Sequence, residues 1–298
     1  MNMKDRDQSS QFTINQYTPP MSYELAGKEF QLVMDDGYDM FLRFTDGTHL
    51  IWGYAGQEGQ AAEYLCAKGD ETTYLLSFEV AGAPSITQRE NYAFVLDLEN
   101  SLVTRVYSKI GENPRYPYLI TPKYEFGAIP KADGSLEFRR HGFTSDLIGT
   151  VVQWVYGTQM TTVHCYYCAD YYRITYPRDP EHEAAQQRKL ADLNDMVHML
   201  PSSDEPVRYI KIKENMYLFS LAEANMEKLV GSAGKTEFRS NTMAFLQNYR
   251  RMYLVGRAFG TSTFPEGDKP THIMYGAYGR FVDDIPQDFI DAPNPYVV

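Results

Sequence analysis

Leu25-Ala-Gly27, followed by the run Lys28 to Trp52, decides the fold because the chain repeats this pattern later. The run is typical of two β-strands joined by the turn sequence Thr45-Asp46-Gly47. Leu147-Ile-Gly149 opens a second such run, Thr150 to Tyr176. Two copies of one strand-turn-strand pattern indicate that the chain contains a structural repeat.

Two further strands repeat in the same order. Tyr-Leu strands occur at Thr73–Val80 and Met216–Glu223, and each is followed by a strand that closes on glycine, at Tyr92–Gly111 and Met243–Gly260. Antiparallel units of this length close most easily into small barrels, whose interiors hold one small ligand. The predicted fold class is therefore all-β, with two tandem antiparallel β-barrels.

The predicted domains follow from the repeat and from one interruption. We expect a flexible tail at 1–22, a first barrel at 23–127, a second barrel at 143–285 and a tail at 286–298. Within the second unit, a stretch begins with the helix-initiating pair Asp179-Pro180 and ends at Pro201. Apolar residues recur in it at helical spacing, at Leu190, Leu193, Val197 and Leu200. We predict a helical insertion at about 179–201, either packed on the surface or acting as a lid over the barrel mouth.

The composition argues against several classes of function. A formal net charge of −11 disfavours binding to nucleic acid or to an anionic membrane surface, since both require clustered Lys and Arg. The N-terminal segment has no apolar signal core, no apolar run is long enough to span a bilayer, and the chain has three cysteines. We therefore expect a cytoplasmic protein that does not associate with membranes.

No sequence motif predicts a cofactor or a metal. Phosphate loops, dinucleotide fingerprints, nucleophile elbows and zinc-protease helices do not occur. Cys165-Tyr-Tyr-Cys168 has the spacing of a metal or redox pair, but residues three apart on a strand point to opposite faces. No second cysteine pair is present to complete a site. We expect neither a cofactor nor a metal.

Glu223 is the leading candidate for catalysis. It shares one face of its predicted strand with Tyr217, Phe219 and Leu221. This set should fill a barrel interior and bring a carboxyl group with it, where burial raises the pKa and permits acid-base chemistry. The alternative is a buried ion pair with Arg173 or Arg257. The corresponding Glu79 of the first unit lies on the polar face of its strand and should be solvated.

Aromatic residues of the second unit predict a pocket. Trp154 and Tyr156 lie two apart on one strand, so both point to the same side. Together with Tyr171 and Tyr217 they would line an aromatic pocket with phenol donors, although aromatic core packing explains them equally well. His164 is either a polar residue of this pocket or a hydrogen-bonded structural residue.

Three segments of the second unit carry a family resemblance, namely Phe143-Thr-Ser-Asp-Leu-Ile-Gly149, Val152-Gln-Trp-Val-Tyr156 and His164-Cys-Tyr166. Through these segments the unit resembles the C-terminal domain of the family of molybdenum cofactor biosynthesis protein F (MoaF). The first unit is similar, less distinctly, to the N-terminal domain of that family. The resemblance implies lipocalin-like barrels of the calycin type, and the family name implies a link to molybdenum cofactor. It implies no particular activity.

Two further segments of the second unit, Asp170-Tyr-Tyr-Arg-Ile174 and Tyr217 to Glu223, carry a more distant resemblance. They are similar to strands of phenolic acid decarboxylases, which are single calycin-type barrels, and Tyr217 to Glu223 falls on the strand with that family's catalytic glutamate. The family's tyrosine pair falls on Trp154 and Tyr156, so one phenol is missing, and its catalytic arginine has no match. The similarity supports a cofactor-free barrel with an acid in its cavity rather than that specific decarboxylation.

These observations lead to one expected function. We expect a cofactor-independent enzyme, as in secondary metabolism, that decarboxylates, isomerises or cyclises a small apolar or aromatic molecule in the second barrel. Glu223 is the expected acid or base, and Tyr156 the expected hydrogen-bond donor to an oxyanion. Arg173 or Arg257 would anchor a carboxylate or carbonyl. The expected substrate contacts are Trp154, His164, Tyr171, Tyr217, Phe219, Arg257 and Tyr275.

Two alternative functions are consistent with the same features. One is a lipocalin-like carrier of a hydrophobic small molecule, and the other is an interaction module that uses its acidic surface. The expected partner is a small hydrophobic or aromatic ligand, and homo-oligomer formation is left open. Because one fold hosts many functions, only the arrangement of the site residues can distinguish these alternatives.

Overall fold

The computed structural model describes residues 16–157, 160–176, 202–225 and 237–282. In these residues the strands form two closed barrels of eight antiparallel strands each, so the predicted all-β fold with two barrels is confirmed. A short 3-10 turn, Ile86–Gln88, interrupts the first barrel. The helical insertion predicted at 179–201 and the tail predicted at 286–298 lie outside the described residues. Within the described ranges, no helix combines the length and the hydropathy needed to cross a bilayer.

The first barrel closes from eight consecutive strands. They are β1 (Glu29–Met34), β2 (Met40–Phe44), β3 (His49–Tyr54), β4 (Gln60–Lys68), β5 (Thr73–Glu79), β6 (Glu90–Asp97), β7 (Leu102–Lys109) and β8 (Lys123–Ala128). Each strand pairs with the next, and β8 returns to β1 with Ala128 opposite Val33. This closure leaves no strand edge of the barrel unpaired.

The second barrel repeats this order and has one additional strand. The strands are β9 (Gly142–Phe143), β10 (Thr150–Gly157), β11 (Met160–Tyr166), β12 (Tyr171–Thr175), β13 (Ser203–Lys213), β14 (Met216–Ala222), β15 (Phe238–Asn248), β16 (Tyr253–Phe264) and β17 (Gly267–Phe281). The barrel closes between β10 and β17, and β12 pairs with the first part of β13. The short β9 pairs with the second part of β13.

Alternation along the strands separates the interior of each barrel from its outer face. The interior of the first barrel takes alternate residues of β5, namely Tyr74, Leu76 and Phe78. The interior of the second takes alternate residues of β14, namely Tyr217, Phe219 and Leu221. The intervening Leu75 and Leu218 belong to a third apolar cluster, which lies between the barrels. Both faces of these two strands are therefore buried, which explains why both are apolar.

The two barrels pack against each other through their outer faces. The first barrel contributes Ala67, Leu75, Ala93, Val95 and Val106 to the apolar cluster between them. The second barrel contributes Ile210, Ile212, Met216, Leu218, Ala244, Leu246, Val255 and Met274. Because burial of apolar surface is worth about 25 cal/mol per Å², this contact stabilises the pair of barrels as one folded body.

A polar cluster at the same interface contains Glu79. Arg89 Nε donates to Glu79 Oε2 at 2.9 Å and Arg89 Nη2 to Oε1 at 2.6 Å, while His272 Nδ1 of the second barrel lies 3.3 Å from Oε1. Burial opposes ionisation, but the hydrogen bonds from His272 and Arg89 lower the pKa of Glu79 to about 2. The expectation of a solvated Glu79 is therefore wrong, because the outer face of β5 faces the second barrel.

Residues 17–22, which the sequence assigns to a loose tail, are hydrogen-bonded to both barrels. The Tyr17 N–H donates to the Tyr156 carbonyl at 3.1 Å, and the Ser22 N–H donates to the Cys66 carbonyl at 2.8 Å. Backbone groups paired in this way hold a segment in place. This part of the predicted tail therefore runs from the second barrel to the first and belongs to the folded body.

Candidate active site in the second barrel

The register between β12 and β13 brings an acidic residue into the second barrel. Residues directly opposite each other on adjacent strands point to the same side of a sheet. Tyr172 and Ile174 belong to the interior cluster, and they lie opposite Glu205 and Ser203, respectively. The side chains of Glu205 and Ser203 therefore point into the barrel, where both residues are 1% exposed.

Glu223 enters the barrel at the same end. It follows β14 on the interior face, and its N–H donates to the Asn241 carbonyl of β15 at 3.2 Å. Asn241 Nδ2 donates to Glu223 Oε2 at 2.9 Å, and Arg239 Nη2 lies 3.9 Å from the same oxygen. The Glu223 side chain is 12% exposed. Its partners in the described part of the chain are thus Asn241 and Arg239, rather than Arg173 or Arg257.

Four tyrosines lie near the two carboxyl groups. They are Tyr156 at the end of β10, Tyr172 in β12, Tyr176 directly after β12 and Tyr275 in β17. Burial raises the pKa of each phenol, and the negative charge of Glu223 raises it further, so all four stay protonated at neutral pH. We call this group the carboxylate end: Ser203, Glu205, Glu223, Asn241, Tyr156, Tyr172, Tyr176 and Tyr275.

His164 lies deeper in the interior and is neutral. Burial lowers the pKa of its imidazole to about 3. Its Nε2 is 3.0 Å from Thr162 Oγ1 and its Nδ1 is 3.4 Å from the Tyr166 hydroxyl. The ring stacks on Phe219 with centroids 5.5 Å apart. His164 therefore adds a polar group to the interior without adding a charge.

A hydrogen-bond network continues from His164 towards the opposite end of the barrel. Trp154 Nε1 donates to the Tyr166 hydroxyl at 3.1 Å, and Gln247 Nε2 donates to the same oxygen at 3.0 Å. The Tyr249 hydroxyl donates in turn to Gln247 Oε1 at 3.0 Å. Buried polar groups that satisfy one another in this way fix the positions of their side chains. The network therefore holds the rings beneath the carboxylate end in place.

Arg173 and Tyr171 are not in the interior. They alternate with the interior residue Tyr172, so they lie on the outer face of β12. There Arg173 donates through Nε and Nη2 to the two carboxylate oxygens of Asp204, each at 2.8 Å, and Tyr171 is 44% exposed. A shift of one residue along a strand moves a side chain to the opposite face of the sheet. The run Asp170-Tyr-Tyr-Arg173 has no alternation of polar and apolar residues, so its sequence does not determine which of these side chains face the interior.

Arg257 lies between the two barrels. Its Nη1 donates to the Thr242 carbonyl at 3.0 Å and its Nη2 to Ser108 Oγ of the first barrel at 3.4 Å, while Nε has no partner among the described residues. The side chain is fully buried, and burial lowers the pKa of its guanidinium to about 10. Arg257 is therefore not placed to anchor a molecule inside the second barrel.

The other predicted site residues lie in the interior, at different depths. Those most deeply buried are Trp154, Tyr156, Phe219 and Tyr275, with exposures of 3% or less. The Tyr156 and Tyr275 rings are 5.7 Å apart at the carboxylate end. Tyr217 lies at the opposite end, where its hydroxyl donates to Asp146 Oδ2 at 3.2 Å. The structure therefore brings Glu223 together with Tyr156 and Tyr275, and separates it from Tyr217.

The cysteine pair lies apart from this site. Cys165 alternates with the interior residues His164 and Tyr166, so it lies on the outer face of β11, and Cys168 Sγ accepts from the Tyr171 N–H at 3.3 Å. Within the described ranges, no group of three or more His, Cys, Asp or Glu side chains is arranged to hold a metal ion. The groups available for chemistry at the carboxylate end are therefore carboxyl, amide, hydroxyl and phenol.

Sequence reasoning did not find Glu205, Ser203 or Asn241. Glu205 stands in the run Ser202-Ser-Asp-Glu-Pro206, whose composition is typical of a turn. In the structure this run is the start of β13 and pairs with β12. Period-two alternation beyond Pro206, through Val207 and Tyr209, is the signal that places Glu205 on the interior face.

One family comparison concerns the first barrel. Residues 10–112 match the family model described as the MoaF N-terminal domain. No curated protein matches the chain. The matched residues include strands β1 to β7, while the second barrel with the carboxylate end lies beyond them. The predicted resemblance of the first unit to the MoaF N-terminal domain is therefore confirmed over these residues.

Proposed function

We propose that the second barrel is a calycin-type, cytoplasmic enzyme that acts on a small aromatic or apolar molecule by proton transfer at the carboxylate end, without a cofactor. The observation that carries the proposal is the position of Glu223, a carboxylate directed into an aromatic interior beside the phenol of Tyr156. A base and a hydrogen-bond donor that face the same barrel interior are the two groups that proton transfer next to a carbonyl requires.

Glu223 is the proposed base. Asn241 and Arg239 both contact Glu223 Oε2, whereas Oε1 has no hydrogen-bond partner in the described part of the chain. The amide and the guanidinium hold the carboxylate in one orientation and leave the second oxygen to accept the proton. Removal from bulk water strengthens the interaction of this oxygen with a substrate proton.

Tyr156 is the proposed donor to the developing oxyanion. Burial raises the pKa of its phenol, so it remains protonated at neutral pH and able to donate. It lies one residue before the end of β10, with its ring 5.7 Å from that of Tyr275. A preorganised donor of this kind contributes most when charge develops on the substrate oxygen in the transition state.

The aromatic walls favour a flat substrate. Tyr172 packs edge-on against Phe219 with centroids 4.8 Å apart, and His164 stacks on the same ring. Aromatic walls with a few convergent polar groups are typical of small-molecule sites. Decarboxylation, isomerisation and cyclisation share the proton transfer proposed here, so the proposal covers this group of lyase and isomerase reactions.

The test is a ligand screen followed by product analysis. The full chain is screened by thermal shift against hydroxycinnamates, arylalkylamines, polyketide-like compounds and terpenoids, and each stabilising compound is incubated and analysed by chromatography. A compound that is consumed by the wild type and by the matched surface variant Glu266→Gln, but not by Glu223→Gln, supports the enzyme. A compound returned unchanged would instead indicate the lipocalin-like carrier.

A further inference from the structure

We propose that the carboxylate end recognises a protonated amine, so that the substrate of the second barrel is an arylalkylamine rather than an aromatic carboxylic acid. This inference rests on the proposed function, whose substrate class it names. The inference is based on the carboxylates and unpaired oxygens that face the interior, and on the arginines that do not face it.

The arginines that would anchor a carboxylate do not face the barrel interior. Arg173 is held by Asp204 on the outer face of β12, and Arg257 lies between the barrels. His164 is neutral and provides no positive charge. Arg239 is the one cationic side chain of the described residues near Glu223, and it lies 3.9 Å from that carboxylate. An anionic substrate would therefore approach the carboxylates of Glu205 and Glu223 with only the Arg239 guanidinium nearby among the described residues. Repulsion between the like charges makes this binding unfavourable.

Three side chains present acceptor oxygens at this end, beside the phenol and amide donors. Glu205 and Glu223 are acceptors when ionised, and Asn241 presents a further one, because its Oδ1 is buried without a partner in the described part of the chain. This oxygen lies on the interior side of β16, where a Cβ added to Gly260 would approach it to 2.8 Å. An ammonium group has three donors and no acceptor, and it matches this arrangement.

Ser203 supplies a second, independent indication of a ligand. Its residue is 1% exposed, its Oγ has no hydrogen-bond partner among the described residues, and it shares the interior face of β13 with Glu205. A buried hydroxyl left unsatisfied costs free energy that a bound polar group would recover. The orphaned oxygens of Ser203 and Asn241 and the two carboxylates thus point into one end of one barrel.

The phenol rings complete a site for a cation. Tyr156 and Tyr275 pack with centroids 5.7 Å apart, and Tyr172 and Tyr176 lie near the same carboxylates. Aromatic faces attract ammonium groups, and the attraction strengthens when water is excluded. The carboxylates offset the cost of removing the ammonium from water. The aryl part of such a ligand would extend towards the ring of Phe219.

The test uses three matched phenols that differ in charge. Tyramine is cationic, 4-ethylphenol is neutral and 3-(4-hydroxyphenyl)propionate is anionic at pH 7. Isothermal titration calorimetry with the full chain should show tyramine binding at least about tenfold more tightly than 4-ethylphenol, and the anion most weakly. Glu205→Gln and Glu223→Gln should each weaken tyramine binding about tenfold and leave 4-ethylphenol unchanged, while Glu266→Gln changes neither.

Several outcomes would overturn the inference. Tightest binding of the anion, equal binding of all three phenols, or binding of none of them by the folded protein would each do so. Ser203→Ala tests the inference without altering charge, and it should weaken tyramine about threefold to tenfold with little change in melting temperature. Tyramine bound but returned unchanged would refute the proposed enzyme and keep the amine site. Consumption of an anionic phenol would refute the amine site and support the proposed enzyme.

Discussion

The two barrels have the same strand order but different interiors at one equivalent end. In the first barrel Tyr64 lies opposite Phe78, and in the second Val207 lies opposite Leu221. Two residues further along these strand pairs, the first barrel has Ala62 and Val80, which pack against its apolar cluster. The second barrel has Glu205 and Glu223 in the same places. At this end the first barrel has Glu90, paired with Lys109, opposite Val80, whereas the second barrel has Asn241 opposite Glu223.

The polar groups inside the first barrel have partners close by. The Tyr54 and Tyr92 hydroxyls are 2.7 Å apart, and Glu90 accepts from the Tyr107 hydroxyl and from Lys109 Nζ at 2.6 Å each. Satisfied groups of this kind stabilise a core. In the second barrel, Ser203 Oγ, Asn241 Oδ1 and the Tyr209 hydroxyl are buried without partners among the described residues. This difference is the reason that the proposed ligand is placed in the second barrel.

The largest expected effect is on turnover. Glu223→Gln should lower the rate of the proposed reaction by about 10²- to 10⁴-fold, because an amide cannot accept the substrate proton. Substitution at the equivalent place of the first barrel, Val80→Gln, should leave the rate unchanged. Single-turnover kinetics on a compound consumed by the wild type would measure both. An equal loss in the two variants would show that the barrels do not differ in the way described.

A matched pair of phenylalanines tests which interior holds the ligand. Phe78 and Phe219 are both fully buried, and changing either to Ala should lower the free energy of unfolding by about 3–5 kcal/mol. Denaturant titration measures this loss. A compound that binds the second barrel should still raise the melting temperature of Phe78→Ala by its usual increment, and raise that of Phe219→Ala less. The opposite pattern would assign the ligand to the first barrel.

Glu79 makes the contact between the barrels dependent on pH. Its folded-state pKa of about 2 lies below the ordinary value of 4.5, so it contributes about 3 kcal/mol of stability at neutral pH. This contribution is fully present above pH 4.5 and is lost as the pH falls towards 2. Glu79→Gln should therefore destabilise the protein at pH 7 but much less near pH 2, as followed by urea unfolding at several pH values. A pH-independent difference would contradict this assignment.

The smallest effect is expected at Arg257. Its buried guanidinium makes two hydrogen bonds and leaves Nε without a partner in the described residues, so Arg257→Met should keep the free energy of unfolding within about 1 kcal/mol of the wild type. Arg257→Ala is the control and should cost more, since it leaves a cavity. A loss of several kcal/mol in Arg257→Met, measured by denaturant titration, would show that the charge itself is needed between the barrels.

Local patterns were sufficient to predict the architecture and the interior position of Glu223. The repeated order of short strands indicated two antiparallel barrels, and both barrels are present. Alternation along Met216–Glu223 placed Tyr217, Phe219 and Leu221 on one face, and these residues do pack inside. Such predictions succeed because the direction of a side chain along a strand depends only on its immediate neighbours in the chain.

The composition of the site depends instead on which strands lie opposite each other. Glu205 enters the barrel because it pairs with Tyr172, and Arg173 points outwards because it adjoins that residue. Glu79 is partly buried because a second barrel lies against its face of the strand. Strand register and the packing of one barrel on another arise from contacts between residues far apart in the chain. A change of one residue in register would exchange the interior and outer faces, so the local pattern did not assign Arg173 or Glu79. For Glu205 the alternation through Val207 and Tyr209 carried a signal, which the turn-like composition of Ser202 to Pro206 obscured.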